Sequence, residues 1–240
     1  MPKVSNPGAG DWPIENGQCA EDEYCILLAG SRGRPFQSAS EESTCNYSVF
    51  FARRIPIQLG IGQDERAVIC SMGGGQGAFS IWVSIIQALE MHLTKFDRAY
   101  LITGPYLEPD DSRELLKMAT GLPWLKVIQY VPDMTAWMVA SDLFVGAAGS
   151  NMLGEILATG CNAIAVPRQV RETEQLIHSS LLASKGLIRM CNLATALNGG
   201  LVGPICDGLD SPLRQRHNVL LNGVDRYAGH LIEWYTRICC

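Results

Sequence analysis

A short run of small and polar residues, Gly149-Ser150-Asn151, precedes the carboxylate Glu155. Their spacing could place the run and the carboxylate against one ligand. Gly149 permits a ligand to approach the backbone closely, and Ser150 or Asn151 is a suitable cap for the helix that follows. Free amide hydrogens at the start of that helix would bind a phosphate. Glu155 is then either a solvated acid that favours the helix dipole or an acceptor for two vicinal hydroxyls, such as those of a ribose.

A second glycine-rich turn, Gly73-Gly74-Gly75-Gln76-Gly77, follows an apolar run. Its glycines permit a tight turn in which the amides at the next helix start face a diphosphate, although an ordinary strand-to-helix connection looks the same. No Gly-Lys-Ser/Thr follows, so this is not a Walker loop. No acidic residue closes the next strand at the expected distance, and the glycine spacing disfavours a nicotinamide-dependent oxidoreductase.

Both turns need a parallel sheet to position them, because loops gather at the carboxyl ends of parallel strands. Apolar runs predict about six strands of a Rossmann-like, doubly wound α/β sheet, at 67–72, 98–103, 125–130, 143–145, 162–166 and 187–190. Helices are expected between them, including 78–92 and 112–120, the second capped by Asp110, Asp111 or Ser112. Trp137 and Met138 are expected in the core.

The whole chain divides into an irregular N-terminal segment and linker, residues 1–60, and one domain, residues 61–240. Within the domain, 198–210 is predicted as a glycine-rich loop, and 211–221 and 224–235 as helices.

Composition narrows the classes of partner. A formal charge of −5 and a pI near 5.4 argue against a nucleic-acid partner. We find no apolar run long enough to span a bilayer and no signal peptide. The nine cysteines and four histidines show no zinc spacing. A cytoplasmic protein without a metal site is therefore expected.

Three motifs carry a resemblance that covers roughly residues 55–235. They are Gly149-Ser150-Asn151 with Glu155, Ala165-Val166-Pro167-Arg168, and Arg171-Glu172-Thr173-Glu174-Gln175. In this order they resemble the C-terminal, nucleotide-sugar-binding half of GT-B glycosyltransferases. The likeness is to family 28, in the branch that contains the bacterial GlcNAc transferase of peptidoglycan synthesis and its uncharacterised relatives.

The resemblance implies a role for each matching residue. Glu155 would bind the ribose hydroxyls, while Glu174 and Gln175 would face the donor sugar. Val131 would recognise the base edge through its backbone, and Met134 would pack near the donor. The implied nucleotide-sugar-binding residues are Gly74, Gly75, Gln76, Val131, Met134, Gly149, Ser150, Asn151, Glu155, Arg168, Glu174 and Gln175.

Two departures from the family pattern bear on the loops. Gly75 stands where the family's turn has a serine, so a hydroxyl contact to phosphate is lost. Ala147-Ala148 stand where many relatives carry an arginine or methionine and a second glycine, which bears on loop shape and donor choice.

The expected function is that of a donor domain that binds a nucleotide sugar, with a UDP-sugar favoured, for hexosyl or N-acetylhexosaminyl transfer. Arg168 or Arg171 would stabilise the leaving diphosphate in place of a metal, and no cofactor is expected. Some 60 residues precede the domain, too few for an acceptor-binding half. The chain is thus expected to be a fragment, an inactive copy, or one subunit of a split enzyme whose partner protein binds the acceptor. The alternative is a nucleotide-sugar-binding or regulatory module without transferase activity.

Overall fold

The apolar runs form the strands of one parallel sheet in a computed structural model of the protein, which describes residues 59–62, 64–168, 173–212 and 231–237. The strands are β1 Ala67–Ser71, β2 Arg98–Ile102, β3 Leu125–Ile128, β4 Leu143–Ala147, β5 Ala163–Val166 and β6 Arg189–Met190. Their order in the sheet is β3-β2-β1-β4-β5-β6, with every neighbouring pair parallel. The predicted Rossmann-like, doubly wound α/β sheet is confirmed.

Helices connect the strands. They are α1 Phe79–Glu90, α2 Pro109–Thr120, α3 Met134–Ala140, α4 Ser150–Thr159, α5 Glu174–Ser184, α6 Leu193–Thr195 and α7 Val202–Asp210, with a π-helical turn at Ala196–Gly200. Residues 231–237 are also helical. Among these described helices, none combines the length and the apolar composition that crossing a bilayer requires. The predicted N-terminal segment lies almost wholly outside the described residues, as does the predicted helix at 211–221.

Helices cover both faces of the sheet, which explains why β1 and β4 are buried at every residue and apolar except for Ser71 at the end of β1. Side chains of alternate strand residues enter two cores. On one face Trp82 of α1 packs with Val145, and on the other Trp137 and Met138 of α3 pack with Phe144. Burying each such large side chain contributes about 1.5–3 kcal/mol. The core positions predicted for Trp137 and Met138 are confirmed.

Helix α2 begins earlier than its capping residues predicted. Pro109 occupies its first turn, where a missing N–H costs nothing, and Glu108 precedes it at the N-cap position without a side-chain cap. The prediction that Asp110, Asp111 or Ser112 caps this helix was wrong. Asp110 and Asp111 lie inside the first turn, where their charges favour the helix dipole.

The prediction of a loop at 198–210 was also wrong, because most of this segment forms the π-helical turn and α7. Pro204 lies in the first turn of α7, where proline is tolerated. Gly208 lies against the sheet, and a Cβ added there would be 2.7 Å from Leu143 Cδ1. Ile205 and Leu209 are buried one turn apart. Close packing on the sheet thus outweighs the low helix propensity of glycine and proline.

A buried asparagine ties α7 to the amino ends of the central strands. The Asn162 side-chain amide donates to the Asp142 carbonyl at 2.8 Å and to the Gly208 carbonyl at 2.9 Å. Its Oδ1 accepts from Arg189 Nη1 at 2.9 Å. One side chain therefore satisfies polar groups from three elements.

We expect Asn162→Ala to lower the free energy of unfolding by about 2–3 kcal/mol, because it leaves several buried polar groups without partners. Urea denaturation at neutral pH measures this. The exposed Asn198, whose side chain donates once to the Ala194 carbonyl, provides a matched control. Asn198→Ala should cost about 0.5 kcal/mol or less. Equal losses in the two variants would contradict the structural role of Asn162.

Candidate functional site

The candidate site lies at the carboxyl ends of the central strands, between β1 and β4, where the strand order reverses. Open α/β sheets bind ligands at such a point because the loops on either side diverge. Two adjoining cavities lie there, a smaller one of about 240 Å³ and a larger one of about 460 Å³. Gly73, Gly74, Met152 and Glu155 line both, so the cavities meet at these residues.

The glycine turn after β1 is held by close backbone contacts. Gly73, Gly75 and Gly77 have φ of 70°, 87° and 63°, which favours glycine. A Cβ on Gly75 would lie 2.0 Å from the Thr103 carbonyl oxygen, and one on Gly104 would lie 2.3 Å from the Gly73 carbonyl oxygen. A serine therefore does not fit at position 75 of this chain, which gives a physical reason for its departure from the family pattern.

The predicted residues of this turn have different surroundings. Gly74 lines both cavities, whereas Gly75 and Gln76 line neither. Gly75 is buried, while Gln76 is exposed. The backbone carbonyl of Gln76 accepts a hydrogen bond from Arg168 Nη2 at 2.5 Å. The turn thus offers Gly73 and Gly74 to a ligand, and its other residues hold it in place.

The start of α4 lacks the side-chain cap that the sequence predicted. Gly149 is the N-cap residue, and Ser150 and Asn151 are the first two residues of the helix. Ser150 Oγ instead donates to Glu174 Oε1 at 2.8 Å. All three residues line the larger cavity, so the first-turn amides of α4 lie beside that cavity without a capping side chain.

Glu155 lies where the two cavities meet. Its side chain is half-buried, and within the described residues no donor is hydrogen-bonded to its carboxylate. Burial raises the pKa of Glu155, and the Asp133 carboxylate raises it further. The ionised form is therefore poorly solvated, which favours an acceptor for ligand hydroxyls over a freely solvated acid.

The smaller cavity is closed by residues that follow β3. Val131 is buried, and within the described residues neither its N–H nor its C=O has a backbone partner. Met134 begins α3, which Asp133 caps through a hydrogen bond from Ala136 N at 3.1 Å. Val131 and Met134 both line this cavity.

The larger cavity is bounded on one side by Arg168, in the loop after β5, and by Gln175 of α5. The Arg168 backbone N–H donates to Gln175 Oε1 at 3.0 Å, so the Gln175 amide nitrogen is the group left for a ligand. Arg168 and Gln175 line this cavity. Glu174 lines neither cavity, and its carboxylate contacts Ser150 and lies 3.6 Å from His178 Nδ1. Arg171 falls outside the described residues.

Other lining residues were missed by the sequence analysis. Met152 lines both cavities, and Ser71 and Gln129 line the smaller one. Their only sequence signal is position, since each lies in or beside a strand end or a helix start. Residue type gave no such signal, because Met152 fits a core helix and Ser71 ends an apolar strand.

Comparison with solved structures agrees with the geometry. The crystal structure of Acinetobacter baumannii MurG has a TM-score of 0.52 and 18% identity, covering 62% of this chain and 44% of that one. A structure titled as the glycotransferase of kitacinnamycin has a TM-score of 0.50 and 19% identity, covering 70% of this chain and 42% of that one. These likenesses support the fold.

Curated relatives include transferases named UDP-N-acetylglucosamine--N-acetylmuramyl-(pentapeptide) pyrophosphoryl-undecaprenol N-acetylglucosamine transferase. The one from Lactococcus lactis subsp. cremoris is 31% identical over 43% of this chain, and the one from Leuconostoc citreum is 26% identical over 60%. The chain spans only 29% and 36% of their lengths.

A family model described as the glycosyltransferase family 28 C-terminal domain matches residues 68–218, which is more than half of the chain. The match includes all six strands and every candidate site residue named above. The chain belongs to the glycosyltransferase family 28 C-terminal domain family.

Proposed function

We propose that this domain binds a nucleotide diphosphate sugar, with a UDP-sugar favoured, as the donor for hexosyl or N-acetylhexosaminyl transfer. The observation that carries the proposal is Glu155, a half-buried carboxylate without a described hydrogen-bond donor at the junction of two cavities. Two vicinal hydroxyls would supply the donors that it lacks. The names of the curated relatives, which include UDP-N-acetylglucosamine, support the donor class.

The two cavities accommodate the two ends of such a donor. The base would lie in the smaller cavity, against Met134 and the free backbone groups of Val131. The ribose would lie on Glu155. The diphosphate would lie between the glycine turn and the start of α4, and the sugar would extend toward Gln175. Glu174 would act by holding Ser150 at the helix start.

The chemistry would be displacement at the anomeric carbon, in which the bond to the diphosphate breaks and the acceptor oxygen bonds to that carbon. Negative charge then develops on the leaving diphosphate. First-turn amides of α4 and the Arg168 guanidinium would stabilise this charge without reorganisation. Within the described part of the chain, no other cation lines either cavity.

Transfer would also need an acceptor and a general base. The described residues that line the cavities include one carboxylate, Glu155, which the ribose would occupy. We therefore propose that an acceptor-binding half, on a partner protein or on a further domain, supplies the base. The alternative is a nucleotide-sugar-binding or regulatory module, which would bind the donor without transferring it.

Calorimetric titration with UDP, UDP-GlcNAc, GDP and dTDP tests the donor site. We expect the uridine nucleotides to bind. Glu155→Gln should make their binding free energy less favourable by about 1–3 kcal/mol, because two ribose hydroxyls lose a charged acceptor. Glu114→Gln changes an exposed glutamate on α2 and should leave affinity unchanged.

No binding to any of the four nucleotides would refute the proposed function. Binding without sugar transfer, even in lysates that offer acceptors and partner proteins, would instead favour the regulatory module.

The raised pKa of Glu155 predicts an effect on stability in the absence of ligand. The folded protein holds this proton more tightly than the unfolded chain, so stability falls as pH rises from about 4.5 through the folded pKa. At pH 7 Glu155→Gln should therefore melt at the same or a higher temperature than the wild type. At pH 4 the difference should vanish, since both side chains are neutral. Thermal unfolding across this pH range measures it, and a lower melting temperature for the variant at pH 7 would contradict it.

Arg168→Gln should weaken UDP binding by about 1.5–3 kcal/mol, because the variant loses a charged partner of the diphosphate. Binding of uridine, which has no phosphate, should stay the same. Titration of both ligands measures the difference, and Arg113→Gln, which changes an exposed arginine paired with Asp110, is the control. An equal loss for uridine would mean that Arg168 acts only by holding the glycine turn through Gln76.

A further inference from the structure

The hydroxyl of Ser71 belongs to a buried residue in the wall of the smaller cavity. Ser71 is the last residue of β1, is 1% exposed and lines the smaller cavity. Within the described residues its Oγ makes no hydrogen bond. A hydroxyl in a cavity wall that no protein group satisfies is available to a ligand, and leaving it unpaired beneath a bound ligand would cost free energy.

The other buried serines behave differently. Ser141 Oγ donates to the Met138 carbonyl at 2.7 Å, Ser179 Oγ to the Gln175 carbonyl at 2.6 Å, and Ser84 Oγ to the Ser80 carbonyl at 3.1 Å. Each of these hydroxyls donates to a backbone carbonyl of the helix that it belongs to or ends. Ser71 lies on a central strand, which pairs with β2 on one side and with β4 on the other.

The surroundings of Ser71 select among the parts of a nucleotide. Its neighbours in the cavity wall, Ile102, Val131, Met134 and Met152, are apolar. Among the described residues, no cation lines the smaller cavity, so a phosphate would have no charged partner there. Glu155, an acceptor of hydroxyl groups, lies at the junction with the larger cavity, which Ser71 does not line. The ribose therefore fits at Glu155 and the flat base fits beside Ser71.

We infer that Ser71 Oγ donates a hydrogen bond to an exocyclic carbonyl oxygen of the nucleobase and so contributes to the choice of base. The inference rests on the proposed function, since it requires a nucleotide in the smaller cavity. It adds a side-chain contact at the floor of that cavity to the backbone groups of Val131.

Ser71→Ala removes the oxygen and little else. UDP affinity measured by calorimetry should fall between about two- and tenfold, the range for one neutral hydrogen bond. The unliganded variant should melt at about the same temperature, because the hydroxyl that it removes makes no hydrogen bond within the described residues. Ser141→Ala is the matched control: it should lower the melting temperature and leave UDP affinity unchanged.

Titration with 2′-deoxy-UDP separates base from ribose. If Ser71 contacts the base, Ser71→Ala should weaken UDP and 2′-deoxy-UDP by the same factor, whereas Glu155→Gln should weaken the deoxynucleotide less. A Ser71→Ala effect that disappears with 2′-deoxy-UDP would overturn the inference by assigning Ser71 to the ribose. Unchanged UDP affinity in Ser71→Ala would overturn it while the proposed function stands. Absence of UDP binding to the wild type would overturn both.

Discussion

The backbone contact between the glycine turn after β1 and the end of β2 is the constraint on which the site depends. Thr103 and Gly104 approach the turn so closely that a side chain at Gly75 or Gly104 would overlap backbone atoms. The Tyr106 N–H donates to the Gly74 carbonyl at 2.8 Å and adds a direct bond. Because the turn cannot move toward β2, Gly73 and Gly74 are fixed as the wall that the two cavities share.

The site combines few charges in a largely apolar setting. Of the described residues in the two cavity walls, Glu155 and Arg168 are the charged ones, and they come from different connections of the sheet. Arg168 also joins the turn after β1 to the loop after β5. In the unliganded protein the ionised carboxylate of Glu155 is poorly solvated, which lowers stability. A ligand with suitable hydrogen-bond donors would solvate it. Stability and recognition are thus opposed at this residue.

Much of the fold could be predicted from sequence, because buried parallel strands appear as apolar runs and the glycines mark their carboxyl ends. Glu155 could also be placed from its spacing after Gly149. The caps of α2 and α4 could not be predicted from the sequence. Several polar residues at each helix start are suitable caps, and the path of the backbone decides among them. Helix α7 was missed because Gly208 signals a loop locally but permits contact with Leu143 in the folded chain. Ser71 was missed because a serine at a strand end is distinctive only once its surroundings are known.

The strand order also determines when the site can form. β1 pairs with β2 nearby in sequence, but its other edge pairs with β4, where Val68 lies opposite Leu143. Pairings of such long sequence separation form late, because the chain must close a large loop first. During synthesis β1, β2 and β3 emerge before the strand that completes the crevice. We therefore expect a nascent half-sheet in which the β1 edge is still unpaired, and pairing with β4 creates the binding crevice and protects that edge in the same step.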